Sequence, residues 1–204
     1  MEAARLDGAG GFRYKTPMRI IAGEHRGRRL VAPRGLSTRP TADRVKEAIF
    51  NILGAPDHHP FRVLDLFAGS GALGLEALSR GADEAVLVDE DRDAALAAER
   101  NVRALGLEGR ARVLRREAGA AIAHLAGPFD WIFLDPPYEG GALDRALRLL
   151  GGSPPILGVA GTVIAEHDPR NPPDDRHGAL ALVDRRRWGS TAVSFYARGE
   201  ESRS

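Results

Sequence analysis

Apolar positions along residues 61–167 follow two alternating patterns. Short runs made mainly of apolar residues alternate with longer segments in which apolar positions recur every three or four residues. The runs are typical of buried strands, and the spaced segments are typical of helices that cover a sheet. This alternation predicts an α/β protein with a mostly parallel sheet. The predicted strands are Arg62–Phe67, Ala85–Val88, Ala111–Leu114, Phe129–Leu134 and Gly161–Glu166, and the predicted helices are Ala72–Arg80, Arg92–Leu105, Glu117–Leu125 and Leu143–Leu150.

The two ends of the chain depart from this alternation. Near the C-terminus, apolar runs at Ala179–Arg186 and Thr191–Ala197 have no helix between them and predict an antiparallel hairpin. Near the N-terminus, Met18–Ala22 and Arg28–Ala32 predict a smaller hairpin, and an amphipathic helix follows within residues 41–53. The expected fold is Rossmann-like, with a mostly parallel seven-stranded sheet that ends in an antiparallel hairpin.

These patterns divide the chain into four parts. Residues 1–16 are rich in glycine and lack periodicity, so we expect a disordered basic tail. Residues 17–56 contain the N-terminal hairpin and helix, residues 57–198 the α/β domain, and residues 199–204 a polar tail. A chain of 204 residues is long enough for one domain with its own core, and its size is compatible with a monomer.

Composition excludes several classes of protein. The chain contains no cysteine, which excludes disulfide bridges, thiolate metal sites and cysteine nucleophiles. Its six histidines include no pair at the spacing of metal ligands, so we expect no metal. No apolar run approaches the ~18–20 residues of a membrane helix, and no signal segment opens the chain. We therefore expect a cytoplasmic protein without a membrane partner.

The net charge of +1 conceals an uneven distribution. Residues 1–46 contain 11 Lys and Arg against 4 Asp and Glu, a net charge of +7. Residues 47–204 contain 18 against 24, a net charge of −6. A basic segment before a mildly acidic body is typical of a protein that meets a polyanion. A solvated tail would show the same asymmetry, so charge alone does not decide between the two.

A glycine-rich segment, Asp65-Leu66-Phe67-Ala68-Gly69-Ser70-Gly71, follows the first strand of the α/β unit and opens a helix. Glycine lets the backbone turn tightly and approach a ligand closely, so this context predicts a nucleotide-binding turn. The spacing of Gly69, Gly71 and Gly74 also matches the fingerprint of NAD-binding proteins. The glycines alone therefore leave an NAD-dependent oxidoreductase open.

Acidic residues at the strand ends weigh against a dinucleotide. Asp65 lies where a pyrophosphate site would have no use for negative charge, because such sites bring a helix N-terminus to the phosphates. Asp65, Asp89 and Asp135 all lie at or near carboxyl ends of predicted strands, the usual ligand crevice of an open α/β sheet. Three acids in one crevice favour a cationic cofactor such as S-adenosylmethionine.

The segment Asp135-Pro136-Pro137-Tyr138 ends the fourth strand. Two prolines remove two N–H donors, so the turn presents carbonyls and the Asp135 carboxylate as an acceptor-rich surface. Such a surface can hold an exocyclic amine with its lone pair directed at an electrophilic methyl group. Tyr138 offers an aromatic face on which a base can stack. Alternatively, the two prolines have only a structural role and make the turn between the strand and the following loop rigid.

These motifs resemble those of class I S-adenosylmethionine-dependent methyltransferases that act on exocyclic amines of nucleobases. The segments Met18–Leu30, Arg39–Asn51 and Phe67–Arg80 look like segments of the RsmD family, and the resemblance covers roughly residues 18–198. It implies methylation of the N2 amine of guanine 966 in bacterial 16S rRNA, during maturation of the small ribosomal subunit.

Carried over position by position, the resemblance assigns roles to the site residues. It implies that Asp65–Gly71 holds the methionine end of S-adenosylmethionine, that Asp89 holds the ribose with Glu90 as a further cofactor-binding residue, and that Asp135–Tyr138 is the catalytic turn. Family members usually place Asp or Asn before a small residue to hold the adenine amine, whereas this chain has Glu117-Ala118. Glu117 could equally be an acid in the first turn of a helix.

The resemblance also implies RNA contacts for the basic N-terminal segment. The six candidate residues are Arg19, Arg26, Arg28, Arg29, Arg39 and Arg44. Phosphate contacts of this kind would position the RNA, while contacts in the crevice would choose the base. Because the glycine-rich segment begins only at Asp65, removal of residues 1–40 is expected to leave cofactor binding nearly intact and to abolish RNA methylation.

Three other classes stay open at this point. An N6-adenine DNA methyltransferase shares the chemistry of the Asp135–Tyr138 segment, although the chain has no obvious separate DNA-recognition domain. An RNA-binding protein without catalysis could keep the fold, but an altered Asp135 segment would be expected in it. An oxidoreductase would need a hydride-relay residue near the crevice, and the sequence offers no obvious one.

Overall fold

The computed structural model describes residues 18–33, 40–55, 58–152 and 156–199. Its helices are α1 (Pro40–Leu53), α2 (Ala72–Ser79), α3 (Arg92–Leu105), α4 (Ala118–His124) and α5 (Ala142–Gly152). Its strands are β1 (Arg62–Leu66), β2 (Glu84–Asp89), β3 (Ala111–Arg115), β4 (Phe129–Leu134), β5 (Leu157–His167), β6 (Arg176–His177), β7 (Leu180–Trp188) and β8 (Thr191–Arg198). None of these helices is long and apolar enough to cross a bilayer. The tail predicted at residues 1–16, and all but the first residue of the tail predicted at 199–204, lie outside the described ranges.

All of these strands belong to one sheet in the order β3-β2-β1-β4-β5-β8-β7-β6. Strands β1 to β5 run parallel, β8 is antiparallel to β5, and β7 is antiparallel to β8. The predicted fold class is therefore confirmed. The sheet has one strand more than the predicted seven, because Arg176–His177 pairs with β7. A strand of two residues is too short to show a hydrophobic period.

Apolar side chains fill both faces of the sheet. One core cluster contains residues of α1, α2 and α3, and the other contains residues of α4 and α5. Val63 belongs to the first cluster and Leu64 to the second, because neighbouring strand residues point to opposite faces. Phe50 of α1 contacts the rings of Trp131 and Phe133 in β4, with centroid distances of 5.9 and 5.6 Å. The helix predicted after the N-terminal hairpin thus covers the middle of the sheet.

Residues 18–33 form the predicted N-terminal hairpin. Its arms pair through hydrogen bonds from Ile20 N–H to Arg28 O (3.0 Å) and from Leu30 N–H to Met18 O (2.8 Å). Ile20 and Leu30 are buried in the same core cluster as α1, α2 and α3. The N-terminal hairpin is therefore packed into the body of the protein.

A buried carboxylate fixes the N-terminal hairpin to α2. Glu76 is completely buried and accepts hydrogen bonds from the N–H groups of Ile21 (2.7 Å) and Ala22 (3.0 Å). Lys46 Nζ of α1 lies 3.2 Å from the same carboxylate, and Arg80 Nε donates to it at 2.8 Å. Removing one partner of a buried ion pair typically costs about 3–5 kcal/mol. The hairpin, α1 and α2 are therefore expected to fold together.

Candidate active site

Three carboxylates meet at the carboxyl ends of neighbouring parallel strands. Asp65 lies in β1, Asp89 ends β2, and Asp135 directly follows β4. Because β1 pairs in parallel with both β2 and β4, these strand ends lie side by side. The negative charges of Asp135 and Asp89 both act on Asp65. The structure thus brings together the three acids that the sequence predicted to meet, and we call this edge of the sheet the crevice.

Residues 67–71, the glycine turn, form one wall of the crevice. Phe67 N–H donates to Val88 O at 3.0 Å, and Gly69 N–H donates to Asp89 Oδ2 at 2.8 Å. Phe67 has a φ of +75°, in the left-handed region that costs a bulky residue roughly 1–3 kcal/mol. The hydrogen bonds to β2 hold this strained backbone in place, so the turn is shaped before any ligand arrives.

Gly74, the third glycine of the fingerprint spacing, serves packing. A Cβ at this position would lie 2.3 Å from Leu87 Cδ2, so only glycine lets α2 approach β2 this closely. The Gly74 N–H donates to Asp65 Oδ2 at 3.0 Å. Asp65 therefore satisfies an N–H in the first turn of α2, and the fingerprint spacing needs no dinucleotide to explain it.

Asp65 is 1% exposed. Burial raises the pKa of its carboxyl to about 7, and the nearby charges of Asp135 and Asp89 act in the same direction, against the hydrogen bond from Gly74 N–H. A buried carboxylate with acidic neighbours gains stability when a positive charge comes close. The crevice is therefore electrostatically suited to a cationic ligand.

A cavity of about 210 Å³ lies beside the glycine turn. Phe67, Val88 and Leu149 give it apolar walls, and Asp89 and Glu90 lie at its polar side. A partly apolar cavity next to a carboxylate can accept a nucleoside, with the base between the apolar walls and the ribose hydroxyls at the carboxylate. The ribose contact that the family resemblance implies for Asp89 stays a prediction.

Glu117 caps α4. Its Oε2 accepts a hydrogen bond from Ala120 N–H at 2.8 Å. Hydrogen bonds from the N–H groups of Gly119 and Ala120 hold the pKa of the Glu117 carboxyl below its usual range. Glu117 therefore has a structural role at the start of α4, which the sequence analysis left open beside an adenine contact. Glu117 and Ala118 also line the cavity, so an adenine contact at this position stays a prediction.

Residues 135–138, the proline turn, form the opposite wall. Within the described part of the chain, no donor lies at hydrogen-bond distance from the Asp135 carboxylate. Asp135 is exposed toward the crevice, but protein surrounds it on its other sides, and this burial raises the pKa of its carboxyl. Pro136 and Pro137 bring no N–H groups to this turn. The turn thus offers acceptors that the protein itself leaves unused.

Tyr138 ends the proline turn and is 42% exposed. Its Oη donates to Glu166 Oε1 at 3.1 Å and lies 3.4 Å from Thr191 Oγ1. Burial raises the pKa of the Tyr138 phenol to about 12, so the hydroxyl stays protonated at neutral pH. These contacts anchor the hydroxyl end and leave part of the side chain open to a ligand.

The tip of the N-terminal hairpin lies far along α2 and α3 from the crevice. Both helices begin at the carboxyl ends of the strands and end at the opposite edge of the sheet. Arg28, exposed like Arg26, donates to Ala104 O at 2.7 Å, at the end of α3. His25 N–H donates to Ser79 Oγ at 2.9 Å, at the end of α2. Arg26 and Arg28 are therefore not neighbours of Asp135.

The other predicted RNA-binding arginines have different surroundings. Arg19 Nε lies 3.2 Å from Asp43 Oδ2, an ion pair between the N-terminal hairpin and α1. Arg29 and Arg44 are exposed. Arg39 lies outside the described residues. RNA contacts by these side chains stay predictions.

Asn101 is a residue that the sequence analysis missed. Its buried side chain accepts from Val31 N–H (2.7 Å) and donates to Val31 O and Ser70 O (2.9 Å each). Ser70 Oγ also donates to Met18 Sδ at 2.7 Å. The N-terminal hairpin is thus tied to the glycine turn. Removal of residues 1–40 would break these contacts, so we no longer expect it to leave cofactor binding nearly intact.

Known proteins share both the sequence and the architecture. The family model described as Conserved hypothetical protein 95 matches residues 18–197. The chain is 44% identical over 133 residues to "Ribosomal RNA small subunit methyltransferase D" of Escherichia coli K12, covering 65% of this chain and 66% of that protein. It is 42% identical over 185 residues to "Putative rRNA methyltransferase YlbH" of Bacillus subtilis 168, covering 89% and 99%. A solved structure, "Putative methyltransferase yhhF from Escherichia coli", matches with a TM-score of 0.79 at 34% identity, covering 91% and 99%.

Proposed function

The chain belongs to the family described as Conserved hypothetical protein 95, the RsmD family, and from this premise we propose that it is a small-subunit rRNA methyltransferase. The proposed reaction transfers a methyl group from S-adenosylmethionine to the N2 amine of guanine 966 in 16S rRNA. The names of curated relatives from Escherichia coli and Bacillus subtilis support rRNA as the substrate class. Guanine and its position come from the family resemblance.

The residues of the crevice fit S-adenosylmethionine. Asp65 lies buried among like charges, where a cation relieves repulsion. Asp89 directs one carboxylate oxygen to Gly69 N–H and the other to Asp91 N–H, and each oxygen keeps a lone pair for a ribose hydroxyl. The apolar walls of the adjacent cavity suit an adenine ring. Bound S-adenosylmethionine supplies an electrophilic methyl group on a cationic sulfur.

The proline turn would hold the other reactant. The Asp135 carboxylate and the Pro136 carbonyl can each accept one N–H of an exocyclic amine, which turns the nitrogen lone pair toward the crevice. Tyr138 would stack on the base, an interaction worth about 1–3 kcal/mol. As the new N–C bond forms and the bond between the methyl group and sulfur breaks, positive charge passes from sulfur to the amine nitrogen, and the leaving group is neutral S-adenosylhomocysteine. Asp135 stabilises that charge and can take the proton once the bond is complete.

One observation carries the proposal. The Asp135 carboxylate faces the crevice with no hydrogen-bond donor among the described residues, on a turn that has lost two N–H groups to proline. The exposed side of this carboxylate can therefore accept a hydrogen bond from a donor of the substrate without giving up a bond within the protein. An amine is such a donor, whereas a hydride-transfer site has no need of it.

The product nucleoside tests the proposal. Undermodified small-subunit particles, protein-free 16S rRNA and duplex DNA are each incubated with deuterated-methyl S-adenosylmethionine and the full chain. Digestion and mass spectrometry should find labelled N2-methylguanosine in RNA. Label in N6-methyladenine of DNA would overturn the rRNA assignment, and absence of label from all three substrates would overturn the activity.

A further inference from the structure

A basic turn lies at the crevice, outside the residues considered so far. We use the name β7–β8 turn for residues 186–190, which are the last three residues of β7 and the two residues, Gly189 and Ser190, that connect it to β8. Ala192 of β8 pairs with His167, the last residue of β5. Since β5 is parallel to β4, the β7–β8 turn lies at the same edge of the sheet as Asp135. The arginines of this turn lie in the part of the chain whose net charge is negative, so the overall charge distribution does not reveal them.

The β7–β8 turn adjoins the proline turn directly. Thr191, the residue that follows it, has its Oγ1 3.4 Å from Tyr138 Oη. Val193 pairs with Glu166, which accepts a hydrogen bond from the same tyrosine hydroxyl at 3.1 Å. A nucleotide on Tyr138 would therefore have its neighbours in the RNA chain close to the β7–β8 turn.

Two exposed arginines supply the charge. Arg187 donates through Nε to Gly189 O at 3.0 Å, and its terminal NH₂ groups have no partner among the described residues. Arg186 Nε lies 2.8 Å from Asp184 Oδ2 in a solvent-exposed pair. Exposed ion pairs of this kind contribute little to stability, so a phosphate can replace the aspartate as the partner of Arg186.

The crevice itself repels RNA. Asp89 and Asp135 lie at the crevice, and residues 47–204 carry a net charge of −6. A polyanion can approach such a site only where cations offset this charge. Arg26 and Arg28 cannot do so, because they lie at the opposite edge of the sheet.

We propose that the β7–β8 turn binds the phosphate backbone of the RNA substrate next to the target nucleotide. Neighbouring strand side chains point to opposite faces, so Arg186 and Arg187 would flank the sheet edge and contact different phosphates. Trp188, half-buried against the first core cluster, fixes the base of the turn. This inference rests on the proposed function, since it takes its ligand to be the RNA that is methylated.

A matched pair of double variants tests this surface. Arg186→Gln with Arg187→Gln removes both cations of the turn. Arg176→Gln with Arg198→Gln removes the same charge from the other end of the β7–β8 ladder, where both arginines are exposed. A fluorescent 16S rRNA fragment spanning guanine 966 is titrated by anisotropy at several salt concentrations, and S-adenosylmethionine binding is measured alongside.

The turn variant should bind the RNA fragment roughly tenfold more weakly than the control variant. The slope of its log affinity against log salt concentration should become less steep by roughly one to two. S-adenosylmethionine affinity should match the wild type in both variants. Equal RNA affinity and slope in the two variants would overturn the inference. Failure of the wild-type chain to methylate RNA would overturn the proposed function separately, because the RNA affinities still decide whether this turn binds the backbone.

Discussion

The two turns that face each other across the crevice hold their shapes in opposite ways. The glycine turn is fixed by hydrogen bonds from outside itself: β2 accepts from Phe67, Asp89 accepts from Gly69, and Asn101 donates to Ser70. The proline turn is fixed mainly by its own covalent structure, because two rings restrict φ. Its Asp135 carboxylate takes no hydrogen bond from the described residues.

This difference suits the glycine turn to binding the cofactor and the proline turn to the methyl-transfer step. A turn whose polar groups are already satisfied presents a fixed surface and loses little entropy when a ligand binds. A turn with unpaired acceptors can form hydrogen bonds with the reacting group that strengthen in the transition state. We therefore expect changes around the glycine turn to alter cofactor affinity, and changes in the proline turn to alter the rate of methyl transfer.

Asp89→Ala should give the largest change on the binding side. It removes a charged acceptor for the ribose together with the support of Gly69 N–H, a loss of about 1.5–3 kcal/mol. S-adenosylmethionine affinity measured by calorimetry should fall by about ten- to 150-fold. Asp93→Ala, an exposed change in the first turn of α3, is the control and should bind normally. Unchanged affinity in Asp89→Ala would remove Asp89 from the cofactor site.

The pH dependence of cofactor binding should come next in size. Burial raises the pKa of Asp65 to about 7, so the contribution of this carboxyl to the stability of the free protein is full at low pH and is lost as the pH rises through about 7. A bound cation favours the ionised carboxylate. Affinity for S-adenosylmethionine should therefore fall as the pH drops below about 7, by up to about tenfold per pH unit.

Two comparisons isolate this effect. Asp65→Asn should lose most of the pH dependence in calorimetry, because the amide cannot ionise. S-adenosylhomocysteine, which lacks the sulfonium charge, should show a weaker dependence on the wild-type chain. A wild-type affinity that stays constant or rises as the pH falls would contradict the electrostatic role of Asp65.

Asn101→Leu should have a smaller effect on cofactor affinity, because Asn101 lies outside the glycine turn and acts on it through Ser70. Leucine has a shape similar to that of asparagine but cannot form the hydrogen bonds to the backbone groups of Val31 and Ser70. Thermal stability should fall, and S-adenosylmethionine affinity should weaken by about two- to tenfold, the effect of one neutral hydrogen bond. Arg100→Ala, on the exposed face of α3, is the control. Normal affinity in a destabilised Asn101→Leu would show that the N-terminal hairpin and the glycine turn are not coupled.

Tyr138→Phe should have the smallest effect of the series. The hydroxyl anchors the ring through Glu166 but stays protonated, because the pKa of the phenol is raised to about 12. Methyl transfer to RNA should stay near the wild-type rate, whereas Tyr138→Ala should be clearly slower because the stacking surface is lost. A large loss in Tyr138→Phe would indicate proton transfer by the phenol.

The periodic parts of the fold could be predicted from the sequence. The observed bounds of α3 and β4 equal the predicted ones, because α3 has a regular apolar stripe and β4 is apolar at every position except Asp130. β6 could not be predicted, since two residues carry no period. The convergence of Asp65, Asp89 and Asp135 followed from strand ends in a parallel sheet.

The parts that depend on contacts between distant segments were missed. Asn101 falls on the apolar stripe of α3, and a polar residue there was a usable signal that a buried partner exists. Glu76 on α2 gives the same kind of signal. Their partners in the N-terminal hairpin lie 54 to 70 residues away in sequence, so periodicity could not identify them. The position of the β7–β8 turn likewise depends on the order of strands in the sheet.

The most direct test of this division measures binding and chemistry in the same two variants of Asp135. Single-turnover methyl transfer to small-subunit RNA at saturating S-adenosylmethionine should fall roughly 10²–10⁴-fold in Asp135→Ala, the scale of losing a transition-state hydrogen bond and its orientation. Asp135→Asn should be milder, because its amide oxygen can still accept from the amine. Calorimetry should show far smaller changes in S-adenosylmethionine affinity than in rate. A rate in Asp135→Ala close to wild type, or a loss that lies entirely in cofactor affinity, would contradict the account.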